Sequence, residues 1–331
     1  MVKPLKIIIN ILVFILIAGF GFYMFYSLTS KNKIIFQSSD NPESNFFSPY
    51  NKINEFVFST EIIRFEIFND TIYIVLNDKI SIFDFKGKHQ RDFDIEPNVR
   101  EIAICIEEFS ASKKIYLLYP TRIDVYSIDG KKTEEFNACS ENSDYCAFTT
   151  TKAYIFVTDV ENKNIVQYDK QGRLVRFIKS PEGFIIPSYA FDIMVINDTI
   201  YCSNSGRHKI ESYTLDGQFI ASFGKSGTQA GAFAGCCNPV YISKSSNGHI
   251  LTSEKGNPRI SCYSKDGKFR MILFDENMLG SGTTANQIRM WGKHIFIADK
   301  KTISVYNIEA IDCVSKGKNC NGCLKECPKQ K

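Results

Sequence analysis

Six times between residues 73 and 306 the chain repeats one phrase: an apolar strand, a polar turn, a second strand ending in an aromatic residue, and in most copies a glycine-bearing turn. The second strands start at Ile80, Ile123, Ile165, Ile210, Ile260 and Ile303 and end at Phe83, Tyr126, Tyr168, Tyr213, Tyr263 and Tyr306, so the aromatic residues recur at intervals of 43, 42, 45, 50 and 43. The turns read Gly87-Lys88, Asp129-Gly130, Gly172, Asp216-Gly217 and Asp266-Gly267. A unit of this length, made of short strands, buries its apolar faces only by stacking on copies of itself, and several strands per copy make that unit a propeller blade. A fainter strand precedes each copy, as at 64 to 68 or 193 to 196, and another follows the glycine, as at 219 to 223. The fold class is therefore all-β, a six-bladed β-propeller of four strands per blade. The last copy lacks a convincing fourth strand. The spare apolar segment Asn54 to Ser59 is the first candidate to supply it, because closing the ring in this way removes exposed sheet edges; Ile311 to Val314, shorter and less apolar, is the second.

Hydrophobic residues make up 44% of the 331, enough for a sizeable core and too many for a disordered chain. The formal charge of +4 resides in Lys3, Lys6, Lys31 and Lys33, so residues 34 to 331 are neutral overall. A neutral body argues against a nucleic-acid partner. The expected organisation is an N-terminal anchor over 1–33, a polar linker over 34–52, one ring over 53–310 and a cysteine-rich tail over 311–331.

Residues 7 to 28 carry no charge across 22 positions. As a helix they would reach about 33 Å, enough for a bilayer core of roughly 30 Å. A cleaved signal peptide has a shorter apolar stretch and a small-residue end that this segment lacks, so the preferred reading is a single-pass anchor. Lysines flank the segment evenly and leave its orientation open. Eleven cysteines behind an export-type N-terminus favour an oxidising compartment, which places the body on the extracytoplasmic side, periplasmic or extracellular, with most cysteines paired.

From Phe223 to Phe269 the chain resembles an NHL-repeat propeller, through Phe223-Gly224, Gly227, Gly231, Phe233, Pro239, Gly248, Ile250, Gly256, Arg259-Ile260, Tyr263, Asp266-Gly267 and Phe269. Residues 193 to 219 match more weakly through Gly206, His208, Lys209-Ile210 and Tyr213. The resemblance implies a six-bladed ring whose loops bind other molecules, and it implies no activity. The chain departs from the pattern between Phe233 and Pro239, where extra residues bring in Gly235-Cys236-Cys237.

That vicinal pair is the most unusual local feature. In a four-stranded blade the loop entering a blade and the loop joining its second and third strands share a face. Cys236 and Cys237 should then lie near Glu254, Lys255 and Asn257 of their own blade and near Arg207 and His208 of the preceding one. Thiols beside such cations have a lowered pKa and can exchange, ligate a metal or pair; a structural loop staple is the alternative. The tail spells C-x6-C-x2-C-x3-C-P through Cys313, Cys320, Cys323, Cys327 and Pro328. Two disulfides are the favoured state there, with zinc or an iron–sulfur cluster as the alternative cofactor; elsewhere no cofactor is expected. Cys139 and Cys146 read as another disulfide staple, and Cys105, Cys202 and Cys262 as small buried apolar residues.

Enzyme signatures are poor. H-E-x-x-H and G-x-S-x-G are absent, and Gly224-Lys225-Ser226 lacks the upstream glycine of a phosphate-binding loop. The four histidines, at 89, 208, 249 and 294, are scattered over strands and turns, and Asp159, Glu161, Glu254 and Asp299 read as turn caps. No catalytic residue is assigned. The leading expectation is a membrane-tethered binding or scaffold module that holds a protein or glycan partner on its loop face. An accessory role in electron or thiol–disulfide transfer, through Cys236-Cys237 or the tail, comes second, and a hydrolase or lyase third.

Overall fold

The computed structural model describes residues 50–106, 113–280 and 282–308. The apolar stretch 7–28, the alternative strand 311–314 and the four tail cysteines lie outside them. Among the described residues no helix is long and apolar enough to cross a membrane.

Six antiparallel sheets of four strands each make the ring. Blade 1 is β2 (Arg64–Phe68), β3 (Thr71–Val75), β4 (Lys79–Asp84) and β5 (His89–Asp94); blade 2 is β6 (Glu101–Ile106), β7 (Lys113–Tyr119), β8 (Arg122–Ser127) and β9 (Lys132–Asn137). Blade 3 is β10 (Tyr145–Thr150), β11 (Tyr154–Asp159), β12 (Asn164–Asp169) and β13 (Leu174–Ile178); blade 4 is β14 (Ile193–Ile196), β15 (Thr199–Asn204), β16 (Lys209–Thr214) and β17 (Phe219–Phe223). Blade 5 is β18 (Tyr241–Lys244), β19 (Ile250–Glu254), β20 (Arg259–Tyr263) and β21 (Phe269–Phe274). Blade 6 joins β22 (Gln287–Trp291), β23 (His294–Asp299) and β24 (Thr302–Asn307) to β1 (Asn51–Val57) from the other end of the chain.

The expected donor strand thus closes the ring. It begins earlier than the anticipated boundary at residue 53, since Asn51 and Lys52 pair with Asn307 and Tyr306 before a bulge ahead of Asn54. Both residues are exposed and polar, so they carry no apolar signal that a sequence pattern could register.

Each sheet is covered on both faces by its neighbours, which is why the middle strands read as continuous apolar runs rather than alternating ones. Between blades 6 and 1, for example, Phe65, Ile72 and Ile74 pack with Phe296, Ile303 and Val305. The repeated glycine has its cause at these interfaces. Gly172 adopts φ +74, and a Cβ there would stand 2.3 Å from the Phe136 ring of blade 2; at Gly267, φ +77, it would stand 2.4 Å from the Phe223 ring of blade 4. Each of these two turns therefore demands glycine twice, for its backbone and for the aromatic residue beneath it.

Two rims follow from the winding. Connections between blades and between the second and third strands of a blade form one, here the loop face. Turns joining first to second and third to fourth strands form the other, the turn face. Asn51 pairs with Asn307, so both ends of the ring leave on the turn face.

Candidate functional site

The interval of 50 residues reflects the connection 224–240 into blade 5, which folds over the loop face. Arg259, 4% exposed at the start of β20, holds it down. Its guanidinium donates to both Glu254 carboxylate oxygens, at 2.6 and 2.9 Å, and to the carbonyls of Thr228, at 2.9 Å, and Ala232. Glu254 in turn accepts from the Ala234 N–H at 3.2 Å. Burial pushes the Glu254 carboxyl up, against the opposing pull of Arg259. Asn238 completes the frame by donating to the carbonyls of Ala234 and Lys255, at 2.7 and 2.9 Å, and accepting from the Lys255 N–H at 3.0 Å.

This frame presents the vicinal thiols. Cys236 is exposed and Cys237 is buried, with their sulfurs 3.0 Å apart. The Lys255 ammonium donates to Ser188 Oγ at 2.8 Å, beside Cys237. Burial raises the Cys237 thiol, but hydrogen bonds from Ser188, Cys236 and Lys255 outweigh it and hold the thiol below its ordinary value. The contact with Cys237 holds the Cys236 thiol up. From blade 4, His208 Nε2 lies 2.6 Å from the Gly235 carbonyl. Among the described residues no group of three or more His, Cys, Asp or Glu is placed to hold a metal ion, so the pair has no third ligand there.

The structure therefore brings Cys236, Cys237, Lys255 and His208 together. It turns Arg207 and Glu254 elsewhere. Arg207 donates to the carbonyls of Gly183, at 2.8 Å, and Glu182, and lies 3.6 Å from the Glu182 carboxylate, facing its own blade's entry loop. Glu254 is 1% exposed and committed to Arg259, a brace beneath the loop rather than part of the presented face.

The remaining thiols are apart. All seven cysteines among the described residues are free, contrary to the expectation that most are paired. The proposed staple is not formed: Cys139 is exposed and lies 3.8 Å from the Tyr145 hydroxyl, whereas Cys146 is buried and donates to the Tyr189 carbonyl at 2.9 Å. Adjacent residues of a strand point to opposite sides, so a contact with Tyr145 carries Cys139 away from Cys146. Cys105, Cys202 and Cys262 are buried in strands as expected.

Sequence reasoning missed a second site, on the ring axis. The first strands of blades 1, 2 and 6 and the residue just before that of blade 4 place charge there: Arg64 and Glu66, Glu101, Arg289, and Asp192. Arg289 lies 2.9 Å from Glu66 and 3.1 Å from Glu101, and Arg64 lies 3.3 Å from Glu101 and 5.5 Å from the Tyr241 ring centre. Asp192 accepts N–H bonds from Ile193, at 2.9 Å, and Ile242, at 2.8 Å. Burial, reinforced by the Glu101 charge, still raises its carboxyl to about 6. Burial disfavours the Arg289 charge, but Glu66, Glu101 and Asp192 outweigh it and hold the guanidinium up. Glu66, Glu101, Asp192 and Arg289 floor a cavity of about 350 Å³ whose walls are the later halves of the inner strands, among them Phe68, Ile104, Thr150, Lys244 and Trp291. It therefore belongs to the turn-face side. The available signal was a set of charged residues at the entry to, or within, otherwise apolar first strands.

Toward the loop face, Arg100 stacks on Tyr189 at 4.8 Å, and the Tyr189 hydroxyl donates to Asp144 at 2.5 Å. Ser188 and Tyr189 are neighbours, so a single loop touches both Lys255 of the thiol corner and the Arg100 and Asp144 side chains.

No family model matches the chain, and no curated protein matches it. Solved structures match it in shape. A catalytically inactive virginiamycin B lyase from Staphylococcus aureus with quinupristin superposes with a TM-score of 0.56 at 15% identity, covering 77% of this chain and 98% of that one. A streptogramin B lyase gives 0.53 at 16%, covering 77% and 97%. A protein of unknown function from Bacteroides thetaiotaomicron gives 0.56 at 13%, covering 78% and 72%. At these identities the likeness is one of architecture, and it establishes the chain as a six-bladed β-propeller.

Proposed function

We propose that the chain is an NHL-like binding or scaffold propeller, tethered to a membrane through residues 7–28 with its body on the extracytoplasmic side, and that it holds a protein or glycan partner on the loop face around Cys236, Cys237, Lys255, His208 and Ser188. The observation that carries this reading is the closure of blade 6. With Asn51 paired to Asn307, both chain ends leave from the turn face, and the loop face stays clear of the tether. The compact frame of Arg259, Glu254 and Asn238 supports the same reading, because it holds an irregular loop in one shape at the cost of two buried charges. The histidines are dispersed over an outer strand, a corner, a turn and β23, which favours binding over acid–base chemistry.

The test is positional. A photo-crosslinking residue at Lys255 in the full chain in its own cells should give partner adducts, and the same residue at Lys86 on the turn face should give none. Equal adducts from both positions would refute the assignment of the working face. The location is checked separately: a membrane-impermeant thiol reagent applied to intact cells should label Cys236, and protection until lysis would place the body inside.

A further inference from the structure

We propose that Cys236 and Cys237 are a modification site, closing into a vicinal disulfide by exchange with an external disulfide and reopening with an external thiol. Three observations carry this. The two sulfurs already lie 3.0 Å apart, in a loop whose backbone is fixed on either side by His208 at Gly235 and by Asn238 at Ala234 and Lys255. Their exposures differ: Cys236 faces solvent, whereas Cys237 lies beneath it against Lys255 and Ser188. Of the other described cysteines, Cys105, Cys146, Cys202 and Cys262 are buried, and the exposed Cys139 lies in the connection into blade 3, two blades away from the connection into blade 5.

The chemistry follows from that arrangement. An incoming disulfide R–S–S–R is attacked by the exposed Cys236 sulfur; one RS⁻ leaves, and a mixed disulfide Cys236–S–S–R remains. The Cys237 thiolate, stabilised by Lys255 and Ser188, then attacks the Cys236 sulfur, and the second RS⁻ leaves. Two protein thiols are oxidised to one disulfide, one external disulfide is reduced to two thiols, and the two protein protons pass to the departing thiolates. Closure removes the thiolate from beside Lys255, so the ammonium is left with Ser188 alone. The modification therefore changes the charge of the loop face at the point where a partner would meet it.

This deepens the loop-face reading, but its readout is a mass change within one peptide and does not depend on any partner. The full chain, equilibrated in glutathione buffers of graded redox ratio, is quenched with acid, alkylated and digested. In oxidised glutathione the peptide holding Cys236 and Cys237 should be lighter by two hydrogens and unalkylated; in reduced glutathione it should carry two alkyl groups. Cys237→Ser should accumulate a glutathione adduct at Cys236, because the resolving thiol is gone. Lys255→Met should slow closure by about tenfold and adduct formation at Cys236 by much less, since the thiolate of the second step is the one beside Lys255. Independent alkylation of both cysteines across the whole series would overturn the proposal. So would a bridge from either cysteine to Cys139 or to a tail cysteine.

Discussion

Arg259 and Arg289 are both buried guanidiniums, yet they sit in clusters of different kinds. At the corner of blade 5, one carboxylate meets one guanidinium in a two-pronged contact, and the remaining N–H groups go to carbonyls of a single loop. On the axis, two guanidiniums meet three carboxylates contributed by separate blades, beside a cavity. The first cluster is balanced and saturated, so it acts as a fixed brace. The second has one acid in excess, and that acid, Asp192, is the group whose protonation the interior shifts most clearly toward neutral pH. Burial raises both carboxyls, but Glu254 has a guanidinium in two-pronged contact to oppose it, whereas Asp192 is held by backbone N–H groups.

The sharpest test removes one side of the brace. Arg259→Met should cost about 3–5 kcal/mol, because it leaves the Glu254 carboxylate buried without a counter-charge. Pairing it with Glu254→Gln should recover much of that loss in urea denaturation. A single variant as mild as a surface substitution would show the brace to be dispensable.

The axial cluster should announce itself through pH. The Asp192 carboxyl titrates near 4 when unfolded and at about 6 when folded. Between those values the folded chain keeps a proton that the unfolded chain has lost, so this group's contribution to stability falls as pH rises, by about 3 kcal/mol in all. In Asp192→Asn that component of the pH dependence should vanish, so the natural chain should lose about 3 kcal/mol relative to the variant as pH rises across the window. A natural chain that gains stability over pH 4 to 6 relative to the variant would reverse the assignment.

The smallest effect belongs to a third cluster, on the rim of blade 2, where Arg122 reaches Glu96 and Asp124 and stacks on Tyr119 at 4.1 Å. Asp124 retains Lys132 at 2.9 Å when Arg122 is removed. Arg122→Ala should therefore cost about 1 kcal/mol or less, measured by the same denaturation.

The ring was legible because its cause is local and repeated: an aromatic residue ending each third strand and, in most copies, a glycine in the turn after it that packs on the outer strand of the preceding blade. The thiol corner was legible for a different reason. Counting strands is enough to put the connection holding Cys236 and the corner holding Lys255 on one rim, without any knowledge of side-chain positions. Side-chain direction is where that reasoning stops, as Arg207 shows: its carbonyl partners at Glu182 and Gly183 come from a loop whose path no pattern specifies. The axial cluster was hidden by separation, since Arg289 and Glu66 stand 223 positions apart and meet only once the ring closes. The Cys139–Cys146 pairing failed because spacing along the chain says nothing about which side of β10 each sulfur faces.

The seam between β1 and β24 has a mechanical meaning. A load pulling on residue 50 while the loop face is held runs parallel to β1, so the hydrogen bonds from Asn51↔Asn307 to Val57↔Thr302 share the force in shear and must yield together. A load separating residue 50 from residue 308 acts at one end of the same seam and opens its bonds one after another, like a zipper. The same closure is thus strong against tension between residue 50 and the loop face, and weak against any force that drives residues 50 and 308 apart.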